Sequence, residues 1–304
     1  MSKTFFPLRY VLIVFIVCGT AFGSYFYLEQ KEIRPEGSNL SEKVKSYVSL
    51  SKAKNRHIAL KKVFGESLND LRISDADFSS IDLDGLDFSG SQFKNVHFNG
   101  AIITATNMSK VSFEECDFTN ASIMNVNLSS ANFKNSIVKN CEMQNVNLSY
   151  SKFSRTNLIK AKITNSNLSN VDLHQALIKE SVFENVNFSK SNLSQIVAQE
   201  SRFNNCKFTA ADMSESKLQL NNFSSSTFES TNLFCANLQG ADLSKSNFNS
   251  SNLHSCIFID AKLNDADLSN SYAYQANFQG ATLLGAKFNN ADVRGANFNT
   301  ARFK

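Results

Sequence analysis

Histidine and aspartate are side chains that could support acid–base chemistry or hold a metal, and their spacing here favours neither role. The four histidines, His57, His97, His174 and His254, are far apart in the sequence. The sequence has no HExxH motif and no glycine-rich phosphate loop. Aspartates concentrate once, in residues 75–87, where a cation could bind, but aspartate recurs at the equivalent position throughout the chain. We therefore expect no catalytic residue, no cofactor and no metal ligand.

The six cysteines also give no sign of a metal or redox site, because they form no CxxC pair and no cluster with histidine at zinc-ligand spacing. Four of them share one small-residue position of a repeat: Cys116, Cys141, Cys206 and Cys256. We interpret these as small buried residues in place of alanine or serine, without disulfides. Cys235 is expected to face outward, and Cys18 belongs to an apolar N-terminal segment.

A large apolar residue recurs at every fifth position from Ile73 to Phe303. Of these 47 positions, 20 are Phe and 15 are Leu, and only Ala198 and Ala273 are small. The residue two positions earlier is nearly always small, being Ala 17 times and Ser 12 times. A fixed internal period indicates a repeat architecture, so this unbroken run predicts one continuous repeat domain.

A period of five fits neither an α-helix nor an alternating β-strand. If each five-residue repeat forms one side of a square, four repeats form one coil of 20 residues. The large residues and the small residues two positions before them then both point to the inside of the coil. At the sheet spacing of about 4.8 Å, about twelve stacked coils would form a rod roughly 55 Å long. Like residues then form internal ladders, and two predicted ladders are Phe93, Phe113, Phe133 and Phe153, and Phe188, Phe208, Phe228 and Phe248.

Written in fives, the chain reads Ala131-Asn132-Phe133-Lys134-Asn135 and Ala241-Asp242-Leu243-Ser244-Lys245. These blocks resemble the pentapeptide-repeat family, whose pattern is A(D/N)LXX, and the resemblance covers residues 69–304. It implies an all-β fold, the right-handed quadrilateral β-helix of a pentapeptide-repeat solenoid. The family has no shared catalytic residues, and a solenoid presents a wall rather than a pocket. The resemblance therefore favours a binding protein over an enzyme.

Residues 10–28 contain no charged side chain and predict a transmembrane helix that anchors the protein. At 1.5 Å per residue the segment spans about 28 Å, close to the thickness of a bilayer core. Tyr10 and the aromatic residues 25–27 lie at its ends, where membrane proteins place interfacial aromatic side chains. The alternative is a cleaved signal peptide, with residues 21–23 as a poor cleavage site.

The flanking charges favour a bacterial inner-membrane protein that spans the bilayer once. Residues 1–9 form a short tail with Lys3 and Arg9 and no acid, which predicts a cytoplasmic N-terminus and a periplasmic solenoid. Lys43 and Lys45 lie close enough to the span to leave a solenoid on the cytoplasmic face as the alternative. Many Asn-Leu-Ser and Asn-Phe-Ser triplets match the glycosylation sequon, which fits a bacterial setting better than a eukaryotic secretory one.

Residues 29–68 are expected to form a linker and an amphipathic helix that caps the first coil. Pro35 and Gly37 indicate a hinge, Asn39 with Glu42 resembles a capping box, and Gly65 could end the helix. The apolar helix face is predicted to contain Leu40, Val44, Tyr47 and Val48. An open coil end needs such a cover because its strand edges are unpaired. The helix is also rich in lysine, which leaves attraction to anionic lipid as another role.

The charge distribution bears on the function. Residues 1–68 carry 11 Lys and Arg against 5 Asp and Glu, whereas residues 69–304 carry 20 against 22. We interpret the chain as a non-catalytic, membrane-tethered scaffold that binds a protein partner or itself, with no nucleic acid expected. The alternative comes from the resemblance, since some family members bind gyrase and protect this topoisomerase by DNA mimicry. The nearly neutral solenoid and the preceding membrane span count against that role.

Two surfaces are candidate contact sites. Folding the sequence by 20 places outward apolar residues on or beside one face, and these predicted partner-binding residues are Ile137, Ile159, Leu177, Val197, Leu220, Ile257 and Ile259. A contiguous exposed apolar area marks an interaction site, whereas scattered residues do not. The last coil is the second surface, where an end-to-end homodimer is predicted through Phe288, Phe298 and Phe303.

Overall fold

The computed structural model describes residues 11–12, 30–31, 37–53 and 60–304. From Ser67 onward the chain winds as a β-helix, in which bridged residues pair in parallel with the residue 20 positions further on. This confirms the predicted 20-residue coil. The β-helix begins slightly before the predicted boundary at residue 69, because Ser67 already pairs with Asp87. The right-handed sense of the coil stays a prediction from the family resemblance.

Short helices and strands account for the regular secondary structure of the described residues. The helices are α1, Gly37–Ala53, and α2, Leu60–Phe64. In chain order the strands are β1 Val11–Leu12, β2 Gln30–Lys31, β3 Arg72–Asp77, β4 Gln92–His97, β5 Ile102–Thr104, β6 Ser112–Glu114, β7 Ser122–Met124, β8 Glu142–Gln144, β9 Lys162–Thr164, β10 Val182–Glu184 and β11 Arg202–Asn204. Strands β1 and β2 pair antiparallel with each other. One parallel sheet contains β3, β4 and β6, and another contains β5 and β7 to β11.

Each coil has four sides, and each side carries one ladder of bridged residues along the solenoid. The ladders run on side 1 from Ser67 to Lys287, on side 2 from Arg72 to Asp292, on side 3 from Asp77 to Asn297 and on side 4 from Asp82 to Arg302. The ladder of side 1 makes eleven successive steps of 20 residues. In each five-residue repeat, the large inward residue is here called the centre. The residue directly before the centre lies on the ladder and is called the ladder residue. The residue directly after the centre is called the outer residue.

A left-handed backbone residue explains why the chain turns every five residues. Each fifth residue from Asp70 to Thr300 has a φ between 48° and 70° and forms the corner, two positions after the centre. The turn is closed by a hydrogen bond to the centre's carbonyl, as from the Ala131 N–H to the Leu128 oxygen at 3.1 Å. Glycine, asparagine and aspartate tolerate this conformation better than other residues, which accounts for their frequency at the corners.

The centres fill the core in stacked ladders, as predicted. Phe133 is completely buried, and its ring centroid lies 4.8 Å from that of Phe113 and 4.5 Å from that of Phe153. The second predicted ladder, from Phe188 to Phe248, stacks at 4.6–5.1 Å. Stacked rings add a geometric preference to the gain from burying apolar area.

The small residues two positions before the centre also point inward, and the serines among them bond to backbone groups. Ser136 Oγ donates to the Phe113 carbonyl at 2.9 Å and accepts from the Cys116 N–H at 3.2 Å. A buried hydroxyl must find partners, and a position next to the turn supplies both a donor and an acceptor. Alanine, serine and cysteine therefore recur here, and some coils bury a larger residue at the same position, such as Val96 or Ile196.

Asparagine and aspartate recur at the ladder position because their side-chain oxygen completes the turn. Asn132 Oδ1 accepts from the Lys134 N–H at 3.1 Å, and Asp242 Oδ1 accepts from the Ser244 N–H at 3.1 Å. This local side chain to backbone bond satisfies an outward N–H that the ladder leaves free. The asparagine and aspartate residues of the repeat pattern are therefore explained by the hydrogen bonds that they make within the turn.

Helix α1 packs against the first coil of the β-helix. Val44 and Val48 are buried against the core, and Ser41 Oγ accepts a hydrogen bond from the Arg72 N–H of β3 at 2.8 Å. The helix begins at Gly37, so Asn39 is its third residue, and the prediction of Asn39 as the N-terminal cap is wrong. Gly65 follows α2 with a φ of 79° and ends that helix as predicted.

The predicted membrane segment, residues 10–28, lies outside the described residues except for Val11 and Leu12. These two residues form strand β1 rather than a helix. Among the helices that the structure describes, none has the length and apolar character needed to cross a bilayer.

Candidate binding faces

The buried cysteines are chemically inert, as their repeat position predicts. Burial raises the pKa of Cys116 and of Cys206 to about 12, and it also raises the pKa of Cys141 and Cys256. All four are free thiols. A neutral, buried thiol is a poor nucleophile, so these side chains serve packing. Cys235 is exposed, as predicted.

The aspartates of residues 75–87 bond to donors of the coils and converge on no common centre. Asp75 accepts from the Asn95 amide at 2.8 Å, which lowers the pKa of Asp75, and Asp84 accepts from the Thr104 hydroxyl at 2.7 Å. In residues 37–53 and 60–304, no three His, Cys, Asp or Glu side chains are arranged to hold a metal ion. His174 instead lies 2.9 Å from the Ser194 hydroxyl, measured from Nδ1.

The predicted apolar residues all face outward, but they form a broken row. Side 3 carries Ile137, Leu177, Val197 and Ile257 on one ladder, with Ile159 and Ile259 at outer positions and Leu220 at a corner. Leu177 and Val197 are bridged neighbours, whereas Asn157 separates Leu177 from Ile137. The apolar continuity is therefore strongest at Leu177–Val197.

Leu220 is 62% exposed and has a left-handed backbone, which is unfavourable for a bulky side chain. Its Cδ2 lies over Gly240, 2.8 Å from where a Cβ of residue 240 would be. Leu220 therefore fits because the next residue on that corner is a glycine.

The last coil exposes side chains that are buried in every preceding coil. Phe288 and Phe298 are half-buried and Phe303 is 51% exposed, whereas Phe258 and Phe278 are fully buried. Phe298 stacks on Phe278 at 4.9 Å with one ring face, and no coil among the described residues covers the other face. The three predicted contact residues are thus available at this end of the described β-helix.

Sequence reasoning missed a third surface, a row of aromatic side chains outside the solenoid on side 2. This aromatic strip consists of Phe234, His254, Tyr272 and Tyr274. The centroid of the His254 ring lies 5.2 Å from Phe234, 5.6 Å from Tyr272 and 5.3 Å from Tyr274. Phe234 and Tyr272 are 39% and 42% exposed. Positions 234, 254 and 274 differ by one coil length, so a search for aromatic residues in the fold by 20 would have found the strip.

A charged pair continues the strip into the next coil. Arg294 lies over the Tyr274 ring, with its guanidinium carbon 5.9 Å from the centroid. It also donates two hydrogen bonds to Asp292, from Nε at 2.9 Å and from Nη2 at 2.7 Å. These bonds lower the pKa of Asp292 and raise that of Arg294, so both groups are charged over the physiological pH range.

Two family models match the coils. The model described as "Pentapeptide repeat region" matches residues 106–183, and the model described as "Pentapeptide repeats (8 copies)" matches residues 72–109, 181–219, 231–270 and 266–304. Within 72–304 these matches leave only residues 220–230 unmatched. No curated protein matches the chain.

Several solved structures are similar at low sequence identity. HetL, a pentapeptide repeat protein involved in heterocyst differentiation regulation in the cyanobacterium Nostoc sp. strain PCC 7120, is 18% identical, with 84% of this chain and 94% of HetL covered and a TM-score of 0.35. QnrB1, a plasmid-mediated fluoroquinolone resistance protein, is 17% identical, with 60% and 93% covered and a TM-score of 0.40. Because the repeat models match almost every coil that the structure shows, the chain belongs to the pentapeptide-repeat family.

Proposed function

We propose that this chain is a non-catalytic scaffold, tethered to the bacterial inner membrane through residues 10–28, that binds a protein partner through side 3. The family generally supplies structural or binding proteins. The observation that supports binding is the outward apolar pair Leu177 and Val197, bridged on a continuous wall of coils. A flat wall offers extended contact area to another macromolecule, and solenoids commonly bind through such surfaces.

The anchor and its orientation are tested together by cell fractionation and by a C-terminal reporter that is active only in the periplasm. We expect the full-length chain to stay with membranes after carbonate washing, because an inserted apolar helix is not released by charge or alkali. The reporter should be active, since Lys3 and Arg9 favour a cytoplasmic N-terminus. Release by carbonate, or a mature N-terminus near Ser24, would contradict the anchor. An inactive reporter would place the solenoid in the cytoplasm and leave gyrase protection open to a supercoiling assay.

The apolar face is tested by replacing Leu177, Val197 and Ile257 together with serine. We expect partner capture from solubilised membranes to fall strongly, while the melting temperature changes by only about 2 °C or less, because the three side chains point outward. A matched variant with three serines at Glu142, Lys162 and Arg202 on side 4 should capture normally. A large fall in melting temperature would show that the side-3 residues are structural instead.

The last coil supports a second contact, an end-to-end homodimer through Phe288, Phe298 and Phe303. A two-fold contact buries the same patch on both copies and closes without forming a polymer. We expect Phe298→Lys to halve the assembly mass measured by light scattering, because it places a charge on the exposed ring stack. An assembly mass that is unchanged by Phe298→Lys would contradict this contact.

A further inference from the structure

The aromatic strip on side 2 is not used by the function proposed above. Three successive outer positions, Phe234, His254 and Tyr274, are aromatic, whereas the equivalent positions one and two coils earlier are Ser214 and Ser194. The serines there suffice for folding, so the coil itself does not require aromatic side chains. Exposed aromatic area that the fold does not need marks a contact site.

The orientation of the rings limits what can bind. Phe234 and His254 are inclined by 23°, and so are His254 and Tyr274, so the rings stack on one another along the solenoid axis. The His254 ring stacks against Phe234, Tyr272 and Tyr274, and Arg294 lies over the Tyr274 ring, so most of the ring faces in the strip are covered. A sugar ring or a base would need a free ring face to stack on, so the strip favours a protein surface as its partner.

The two rows of side chains on side 2 are self-complementary. One row is the ladder, which includes Tyr272 and Asp292, and the other row holds the outer residues, which include Tyr274 and Arg294. A two-fold axis parallel to the solenoid axis exchanges the two rows and keeps each coil level. Tyr272 of one copy then faces Tyr274 of the second copy, and Asp292 of one copy faces Arg294 of the second copy. The two Asp292 and the two Arg294 side chains therefore alternate around the axis.

The same exchange fits the whole length of side 2. From Arg72 and Ser74 in the first coil to Asp292 and Arg294 in the last, no coil carries the same charge in both rows. An in-register contact along about twelve coils would bury roughly 600–800 Å² on each copy, near the size of a stable interface. The antiparallel two-fold alternative, centred on the coil of His254, would instead bring Asp212 against Asp292 of the second copy.

We infer that side 2 is a homodimer interface in which two copies of this chain associate side by side, parallel and in register, with the aromatic strip and the Asp292–Arg294 pair at its C-terminal half. The contact uses different residues from the end-to-end contact at Phe298. The side-by-side contact starts both β-helices at the same end, which suits two chains anchored in one membrane, and to that extent it rests on the proposed anchor. A chain that used both contacts would form a closed tetramer, because each side-by-side dimer presents two ends in the same direction.

Charge exchange tests the interface in the full-length, detergent-solubilised chain. Arg294→Asp places only acids at this coil level and should halve the assembly mass, and Asp292→Arg should do the same by placing only cations there. The double variant Asp292→Arg with Arg294→Asp restores the complementary pattern and should restore the mass. Lys262→Glu, on the opposite side 4, is the control and should change nothing. An unchanged mass for both single variants, or a double variant that stays dissociated, overturns the inference.

A distance measurement separates this contact from the end-to-end one. A spin label at Lys139→Cys, with Cys18 and Cys235 replaced by serine, lies on side 3, outside the inferred interface and eight coil levels before Asn299. The parallel contact holds the two labels within about 45 Å, whereas an end-to-end dimer holds them more than about 70 Å apart at 4.8 Å per coil. The short distance should disappear in Arg294→Asp and persist in Phe298→Lys. A long distance alone contradicts the side-by-side dimer.

Discussion

Phe133→Asp is expected to lower the melting temperature by about 10 °C or more, or to prevent folding at neutral pH. Phe133 is fully buried between Phe113 and Phe153 in the phenylalanine ladder. Loss of a buried aromatic ring costs about 3–5 kcal/mol, and an unpaired carboxylate in its place adds to that cost. The total stability of a folded domain is about 5–15 kcal/mol, so this single change consumes much of it. Thermal unfolding followed by circular dichroism measures the effect.

The pH dependence identifies the cause of the loss. Burial disfavours the charged carboxyl, so the introduced Asp has a higher pKa when folded than the unfolded value of about 3.9. The deficit relative to the unsubstituted protein should be smallest below about pH 4, where the group is protonated in both states, and should grow as the pH rises through the folded pKa. Lys134→Asp, the exposed neighbour, is the control and should melt within about 2 °C of the unsubstituted protein. Equal melting of both variants would contradict the register of the repeat.

The five-residue pattern predicts the core well because the solenoid leaves the inward residues no alternative. A centre such as Phe133 stacks on the centres 20 positions before and after it, Phe113 and Phe153. One buried centre therefore implies that the centres above and below it are buried as well. The helix cap follows from the same reasoning, since an open coil end needs a cover and Val44 and Val48 lie on one helix face.

The outer surface is harder to predict because its side chains contact water or partners and are not constrained by packing in the core. Apolar residues at positions 137 to 259 suggested one continuous patch, but the ladder interleaves them with Asn157, Lys217 and Asn237. The aromatic strip escaped notice because its members are ordinary surface residues when considered singly. Their stacking emerges only when each is placed beside the residue one coil away, as His254 is between Phe234 and Tyr274.

Val44→Asp is expected to uncover the first coil while leaving the distant coils folded. Val44 is fully buried between α1 and the core, and Ser41 on the same helix accepts the Arg72 N–H of β3. A carboxylate at this contact costs several kcal/mol unless the helix detaches, so the helix should detach and expose the edge of β3. Hydrogen exchange should then lose protection at residues 72–77, and the chain should aggregate more readily through the open edge.

This loss should stay local, because each coil of a solenoid contacts its neighbours alone and the stability of the array is a sum over coils. Protection around Phe203 and Phe223, more than six coils from the cap, should change little, whereas Phe133→Asp interrupts the array and weakens the coils on both sides of it. Ser46→Asp, an exposed position on the same helix, adds the same charge without burying it and should leave residues 72–77 protected. If Val44→Asp leaves the protection of these residues intact, α1 is not the element that covers the first coil. If it unfolds the whole β-helix instead, the coils are coupled far more tightly than nearest-neighbour packing allows.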